Sequence, residues 1–177
     1  MFRVPSRLAA LGAAFLVAGA AALPAQEGTG DGPLSPGDEI GRWRVECPEG
    51  QARCILSQTL TRREGGALVA KFLVFPEPGT DTYFFAAQVP EGAYLPTDFS
   101  IGGAEDDARI PLTWQTCRGG RCEALIRLEA EAPGRLEATD QIGAYRPGLG
   151  AEPVVFEFET EGLADGLSRL PEAPAAE

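Results

Sequence analysis

Residues 42–62, Arg-Trp-Arg-Val-Glu-Cys-Pro-Glu-Gly-Gln-Ala-Arg-Cys-Ile-Leu-Ser-Gln-Thr-Leu-Thr-Arg, carry the pattern that decides the fold. Alternate residues of an extended strand share a face. Trp43, Val45 and Cys47 therefore lie together, and Cys54, Leu56 and Leu60 share one face of a returning strand. Pro48 to Arg53 is turn-like sequence between them. Both sulfurs fall on the apolar side, so the stretch predicts an antiparallel hairpin with a cysteine at each inner end.

Cys117 and Cys122 repeat this arrangement across Arg118-Gly119-Gly120-Arg121. Here Ile110, Leu112 and Trp114 fall on the parity opposite to Cys117, whereas Cys122 goes with Ala124, Ile126 and Leu128, so a bulge or irregular loop is needed. Four cysteines allow three pairings. Loop-closure entropy does not select among them: each short loop contributes about 2–2.5 kcal/mol, and cross-pairing over roughly 70 residues about 4–5 kcal/mol. Short reach and turn residues favour the local pairs, Cys47 with Cys54 and Cys117 with Cys122. Neither spacing is Cys-x-x-Cys, and neither pair precedes a helix start, which argues against redox chemistry.

The cysteines take this role because of where the N-terminus points. Arg3 and Arg7, an apolar run from Leu8 to Leu23 and the small residues before Gln26 have the form of a secretory signal over residues 1–25. The run is too short and too rich in Ala and Gly for a bilayer span. Export predicts an oxidising compartment, periplasmic or extracellular, in a Gram-negative cell, with no integral membrane span after cleavage. The Gly/Pro-rich residues 26–37 read as a flexible leader, 38–170 as one folded domain, and 171–177 as a disordered tail.

Composition narrows the chemistry. The 177 residues include no histidine, so Ser-His-Asp and Cys-His systems and His-ligated metals or haem are excluded. Removing residues 1–25 takes away two arginines and no acid, which leaves 13 basic against 26 acidic residues and a net charge of −13. Nucleic acid is excluded as a partner, because phosphate binding needs clustered Lys and Arg. The longest basic cluster is Arg62-Arg63, followed at once by Glu64.

The remaining segments also read as strands. Ala67–Phe75 is apolar on both parities apart from Lys71, which predicts a central strand buried on both faces. Residues 81–89 place Tyr83, Phe85, Ala87 and Val89 on one side. Residues 100–103 and 137–145 are weaker strands, and Val154, Phe156 and Phe158 mark the last. A helical turn is expected near 129–136, limited by Pro133 and Gly134. Leu163, Leu167 and Leu170 suit a short closing helix, with Gly166 against it. Eight or so short strands separated by turns predict a mostly β, single-domain antiparallel sandwich or barrel with two disulfide-stapled hairpins and a short C-terminal helix.

The landmarks occur in a specific order: Trp43 to Cys47, Cys54 to Gln58, Gln88-Val89-Pro90-Glu91-Gly92-Ala93-Tyr94-Leu95-Pro96, Trp114 to Cys117 with Cys122 beyond, and Gly162 to Leu167. This order resembles the invasion-associated locus B family of exported alphaproteobacterial proteins, over about 41–170. Leu163 stands where that family usually has an aromatic residue, and Pro133-Gly134 interrupts what is often a short helix. The resemblance implies an envelope protein linked by name to host-cell invasion. It supplies no activity, catalytic residue or cofactor.

Several residues are candidates for sites. Glu105-Asp106-Asp107 lacks the spacing of a calcium loop and reads as a solvated turn. Lys71 reads as a strand residue reaching solvent rather than a Schiff-base amine. No motif singles out a carboxylate pair among 26 acids. Tyr94 and Leu95, in the Pro-bounded segment 89–96, are the candidate partner-binding residues, beside a structural role over the core. The expectation is a nonenzymatic envelope protein with no cofactor or metal, binding an unidentified envelope or host macromolecule. The competing class is a small periplasmic carboxylate-dependent hydrolase or sugar-binding protein.

Overall fold

Pairing across the first hairpin follows the alternation: Glu46 lies opposite Ile55 and Arg44 opposite Ser57, so Cys47 and Cys54 meet at its end and are disulfide-bonded. The structure is a computed structural model that describes residues 32–48, 53–103 and 109–171. The signal segment, residues 26–31 of the leader, Glu105-Asp106-Asp107 and most of the tail lie outside the described residues.

The strands are β1 (Glu39–Ile40), β2 (Trp43–Glu46), β3 (Ile55–Thr61), β4 (Leu68–Pro76), β5 (Tyr83–Pro90), β6 (Phe99–Gly102), β7 (Ile110–Arg118), β8 (Arg121–Leu128), β9 (Gln141–Tyr145) and β10 (Val154–Phe158). They form one sheet in the order β1-β2-β3-β4-β5-β8-β7-β6-β9-β10, with antiparallel neighbours throughout. The sheet is curled rather than split into a sandwich. β7 makes the bend: its first part, Ile110 to Leu112, pairs with β6, and from Thr113 onward it pairs with β8. A register shift between Trp114 and Thr116 makes Gln115 the extra residue, which resolves the parity conflict in the second hairpin. Beyond the bulge Cys117 and Cys122 face each other and are bonded.

Curling brings the last strand over the first half of the sheet. Phe72 of β4 lies 5.2 Å from Phe85, 6.1 Å from Phe99 and 4.3 Å from Phe158, ring centre to ring centre. Trp43, Leu56, Val74, Val89, Ile101 and Leu112 fill the rest of the concave side without solvent exposure.

Two short helices, α1 (Ala132–Glu137) and α2 (Leu163–Ser168), close one end. The Glu137 carboxylate accepts the Ala164 N–H at 2.8 Å and so joins them. Pro133 does not limit α1 but sits in its first turn, where its missing N–H costs nothing. Gly166 is a packing requirement rather than a weakness: a Cβ there would lie 2.8 Å from Leu56 Cδ1 and 3.0 Å from Ile40 Cγ2.

Two further expectations change. β4 is buried on one face, through Ala70, Phe72 and Val74; its other face is half-exposed because no second layer covers the convex side. Residues 32–37, expected to have almost nothing to bury, include Leu34 at 4% exposure, and the Leu34 N–H donates to Arg169 O at 2.9 Å. The two-residue β1 is too short for its alternation to be read.

Two glycine substitutions should separate packing from propensity. At Gly143 a Cβ would lie 2.5 Å from the Phe156 ring, so Gly143→Ala should destabilise by about 1–3 kcal/mol through overpacking. At Gly134, inside α1, a methyl group would have no atom within 4 Å, so alanine should be neutral or stabilising by about 0.5–1 kcal/mol. Urea denaturation of the two variants beside the parent gives both signs.

Candidate functional site

One end of the sheet gathers the turn after β5, the tip of the β7–β8 hairpin and the β9–β10 connection. The loop 91–98 leaves β5 at Pro90 and is held at several points. The Glu91 N–H donates to Gly120 O at 3.0 Å in the stapled hairpin tip, and the Tyr94 N–H donates to Arg146 O at 2.8 Å. Trp114 Nε1 donates to Thr97 O at 2.7 Å, and the Trp114 ring meets Phe99 edge-on at 6.2 Å. Gly92 takes φ of 107°, which an L side chain would resist, and so turns the loop toward Pro147.

The 146–153 connection is braced in the same way, since Arg146 Nη1 donates to Ala151 O at 2.6 Å and the Ala151 N–H to Gly148 O at 3.2 Å. Beneath it Tyr145 stacks on Phe99 at 6.0 Å. Burial pushes the Tyr145 hydroxyl above the usual phenol range, partly offset by the charge of Arg62. These braces leave two leucines outside: Leu95 is 47% exposed and Leu149 is 82% exposed. Tyr94 is half-buried beside Leu95. The loop segment predicted from sequence thus contributes one exposed leucine. Leu149 escapes a reading of the sequence, because a lone leucine between glycines gives no periodic signal.

A second feature lies along the seam where the two borders of the curled sheet approach. A groove of about 1150 Å³ is bounded by Gln58 to Leu60 on one side and Glu157 to Glu159 on the other. Glu39, Glu137, Asp140, Glu157, Glu159 and Glu161 line it, with Arg42 as the basic residue. Arg42 Nε donates to Glu159 Oε1 at 3.2 Å, and Gln58 Nε2 donates to Glu159 O at 2.8 Å. All of these carboxylates except that of Glu137 are exposed. Among the described residues no three carboxylate or cysteine side chains converge as a metal site would require. The groove is also unlike the apolar enclosure that keeps a general acid protonated. Two signals for it are present in the sequence: Gln58 on the apolar parity of its strand, and Glu157 and Glu159 alternating with phenylalanines.

Lys71 does not line this groove. Its Nζ donates to both carboxylate oxygens of Glu46, at 2.9 and 2.8 Å, on the convex face, where Ser57 Oγ also donates to Glu46 at 2.6 Å. Partial burial disfavours the Glu46 carboxylate, but hydrogen bonds from Lys71 and Ser57 and the charges of Lys71 and Arg44 outweigh it, so its pKa lies below the ordinary value. The four cysteines are all disulfide-bonded, Cys47 with Cys54 and Cys117 with Cys122, so no thiol is free. Among the described residues no helix is long and apolar enough to cross a membrane.

These features define a class: a single-sheet, disulfide-stapled antiparallel β protein with a curled sheet and an open seam. The sequence pattern of the family described as Invasion associated locus B (IalB) protein matches residues 43–171. The chain belongs to this family. Its fold is similar to the crystal structure of invasion associated protein B from Bartonella henselae, with a TM-score of 0.62 and 19% identity, covering 75% of this chain and 92% of that one. No curated protein sequence matches the chain.

The Glu46 cluster gives a pH prediction. A carboxyl with a lowered folded-state pKa stabilises fully above the unfolded value, and that contribution is lost as pH falls through the folded value. Glu46→Gln should cost about 1 kcal/mol at pH 7, a modest figure because the carboxylate is 37% exposed. The difference from the parent should shrink below pH of about 4.5 and vanish in stronger acid. Urea midpoints measured at a series of pH values would show this convergence.

Proposed function

We propose that this is an exported protein of the cell envelope, periplasmic or secreted, that binds another macromolecule without catalysis through the sheet end carrying Tyr94, Leu95 and Leu149. The observation that carries this reading is the pair of exposed leucines on two loops that are otherwise braced. A loop held by hydrogen bonds to Arg146 and Gly120 loses little entropy on binding, and apolar side chains presented by a rigid frame are what an interface needs. The signal-like residues 1–25 and the two disulfides support the compartment. The similar Bartonella protein is called invasion associated, which favours a host or envelope macromolecule as the partner.

The second reading, a carboxylate-dependent hydrolase or sugar-binding protein, draws on the acidic groove at the seam. It is the weaker one, because exposed and dispersed carboxylates are poorly placed to hold one proton and one negative charge apart.

The test is affinity capture from envelope fractions and host-cell lysate with the purified protein and with a Leu95→Asp, Leu149→Asp double variant. Surface substitutions of this kind should leave stability within about 0.5 kcal/mol. The expected outcome is one enriched species that the double variant fails to retain. Equal capture by both forms would remove this end of the sheet from the interaction.

A further inference from the structure

The seam has the form of an incomplete strand pairing. β2 covers only the first residues of β3, from Ile55 to Ser57, and among the described residues Gln58 to Thr61 have no strand on that side. β10 is the other border of the sheet and pairs with β9 alone. Both borders line the groove. An open strand edge is a row of unpaired N–H and C=O groups that can accept another strand.

The direction of those groups follows from one contact. Glu159, the residue that follows β10, presents its carbonyl across the seam to β3, where it accepts Gln58 Nε2 at 2.8 Å. Backbone polar groups alternate sides along an antiparallel strand, so the N–H and C=O of Glu157 and Val155 also face away from β9. Their side chains are the exposed ones on β10, with Val155 at 56% exposure, while Phe158 points into the core.

From these observations we propose that the seam binds an extended segment of a partner protein in which lysine or arginine alternates with apolar residues, added as a strand along β10. Charge selects this occupant. Glu39, Glu137, Asp140, Glu157, Glu159 and Glu161 are spread along the groove against the single Arg42. They do not converge on a point, which suits a row of cations and not one metal ion. A buried acceptor adds to this: Gln141, also in the lining, is 2% exposed, and its Nε2 donates to Leu136 O, Thr139 O and Thr139 Oγ1. Its Oε1 has no donor among the described residues. A second copy of this chain would bring a net charge of −11 to an acidic seam, which disfavours self-association there. This surface is separate from the Leu95 and Leu149 loops, so its failure would leave that reading standing.

The probe is a fluorescein-labelled octapeptide alternating lysine or arginine with valine, titrated into the purified protein by anisotropy. Controls are an analogue with glutamate at the basic positions and one with the same charge but proline replacing valine. The expected result is saturable binding of the first peptide only, with amide-exchange protection at Val155 and Glu157. Glu157→Lys with Asp140→Lys should weaken it by about tenfold or more. Val155→Pro should abolish it, since proline removes an outward N–H without touching the β9 ladder. Should Val155→Pro unfold the chain, the charge-reversed variant and the exchange data still decide. Equal binding of the proline peptide, absent protection on β10, or no binding up to about 1 mM would overturn the proposal.

Discussion

The contact between Phe72 and Phe158 is the one on which the rest of the structure depends. Phe72 lies in the middle of the sheet and Phe158 at the end of its last strand, and the rings meet at 4.3 Å. A flat sheet of ten strands would keep these residues far apart and leave one face wet. Because apolar burial is the main favourable term in folding, the sheet instead bends at β7 and closes over its own aromatic face. Phe99 and Phe156 join the same cluster from the returning half, each 6.1 Å from Phe72. The core is thus made between two parts of one sheet, and the convex side is left with half-exposed residues and the Glu46–Lys71 pair.

Closure of this kind is incomplete for a geometric reason. β2 has four residues and β1 two, so the first border of the sheet is shorter than the last one, which has to meet it. Near the helices the borders do meet: Gly41 has no Cβ to collide with the Glu161 backbone, and Gly162, at φ of 83°, lets Ile40 approach. Further along the seam the shorter border ends, and β3 and β10 face each other across the groove without pairing. The acids concentrate at this gap. Charged side chains on an edge strand are a known device against edge-to-edge aggregation.

Much of this architecture was legible in the sequence, and the parts that were not share a cause. Alternation located the two cysteine hairpins and the long strands, because each has one face buried and one face wet. It also exposed the parity conflict between Trp114 and Cys117, which the bulge at Gln115 resolves. Alternation failed on β4: a convex face that is only half-exposed tolerates Leu73 and Phe75, so the strand reads as buried on both sides. Local propensity failed at Pro133 and Gly166. The first is harmless in a first helical turn, and the second is demanded by Leu56 and Ile40, residues more than a hundred positions away. The seam could not be read as a groove, since it exists only where strands distant in sequence come together. Gln58 on an apolar parity and the acids of β10 were its local signs, and neither names the other as a neighbour.

The two disulfides occupy opposite ends of the sheet, and their effects differ accordingly. Cys47–Cys54 closes the β2–β3 hairpin on the side where β4 ends and β5 begins, and it secures the short strand that defines one border of the seam. Cys117–Cys122 closes the β7–β8 tip against which Glu91 hydrogen-bonds. The 91–98 loop takes its shape from that tip on one side and from Arg146 on the other. A frayed tip would release the Glu91 contact and with it one of the braces under Leu95. The second disulfide therefore does two things: it places Cys122 in the core, with Cys117 packed against it, and it fixes the hairpin tip that braces the 91–98 loop.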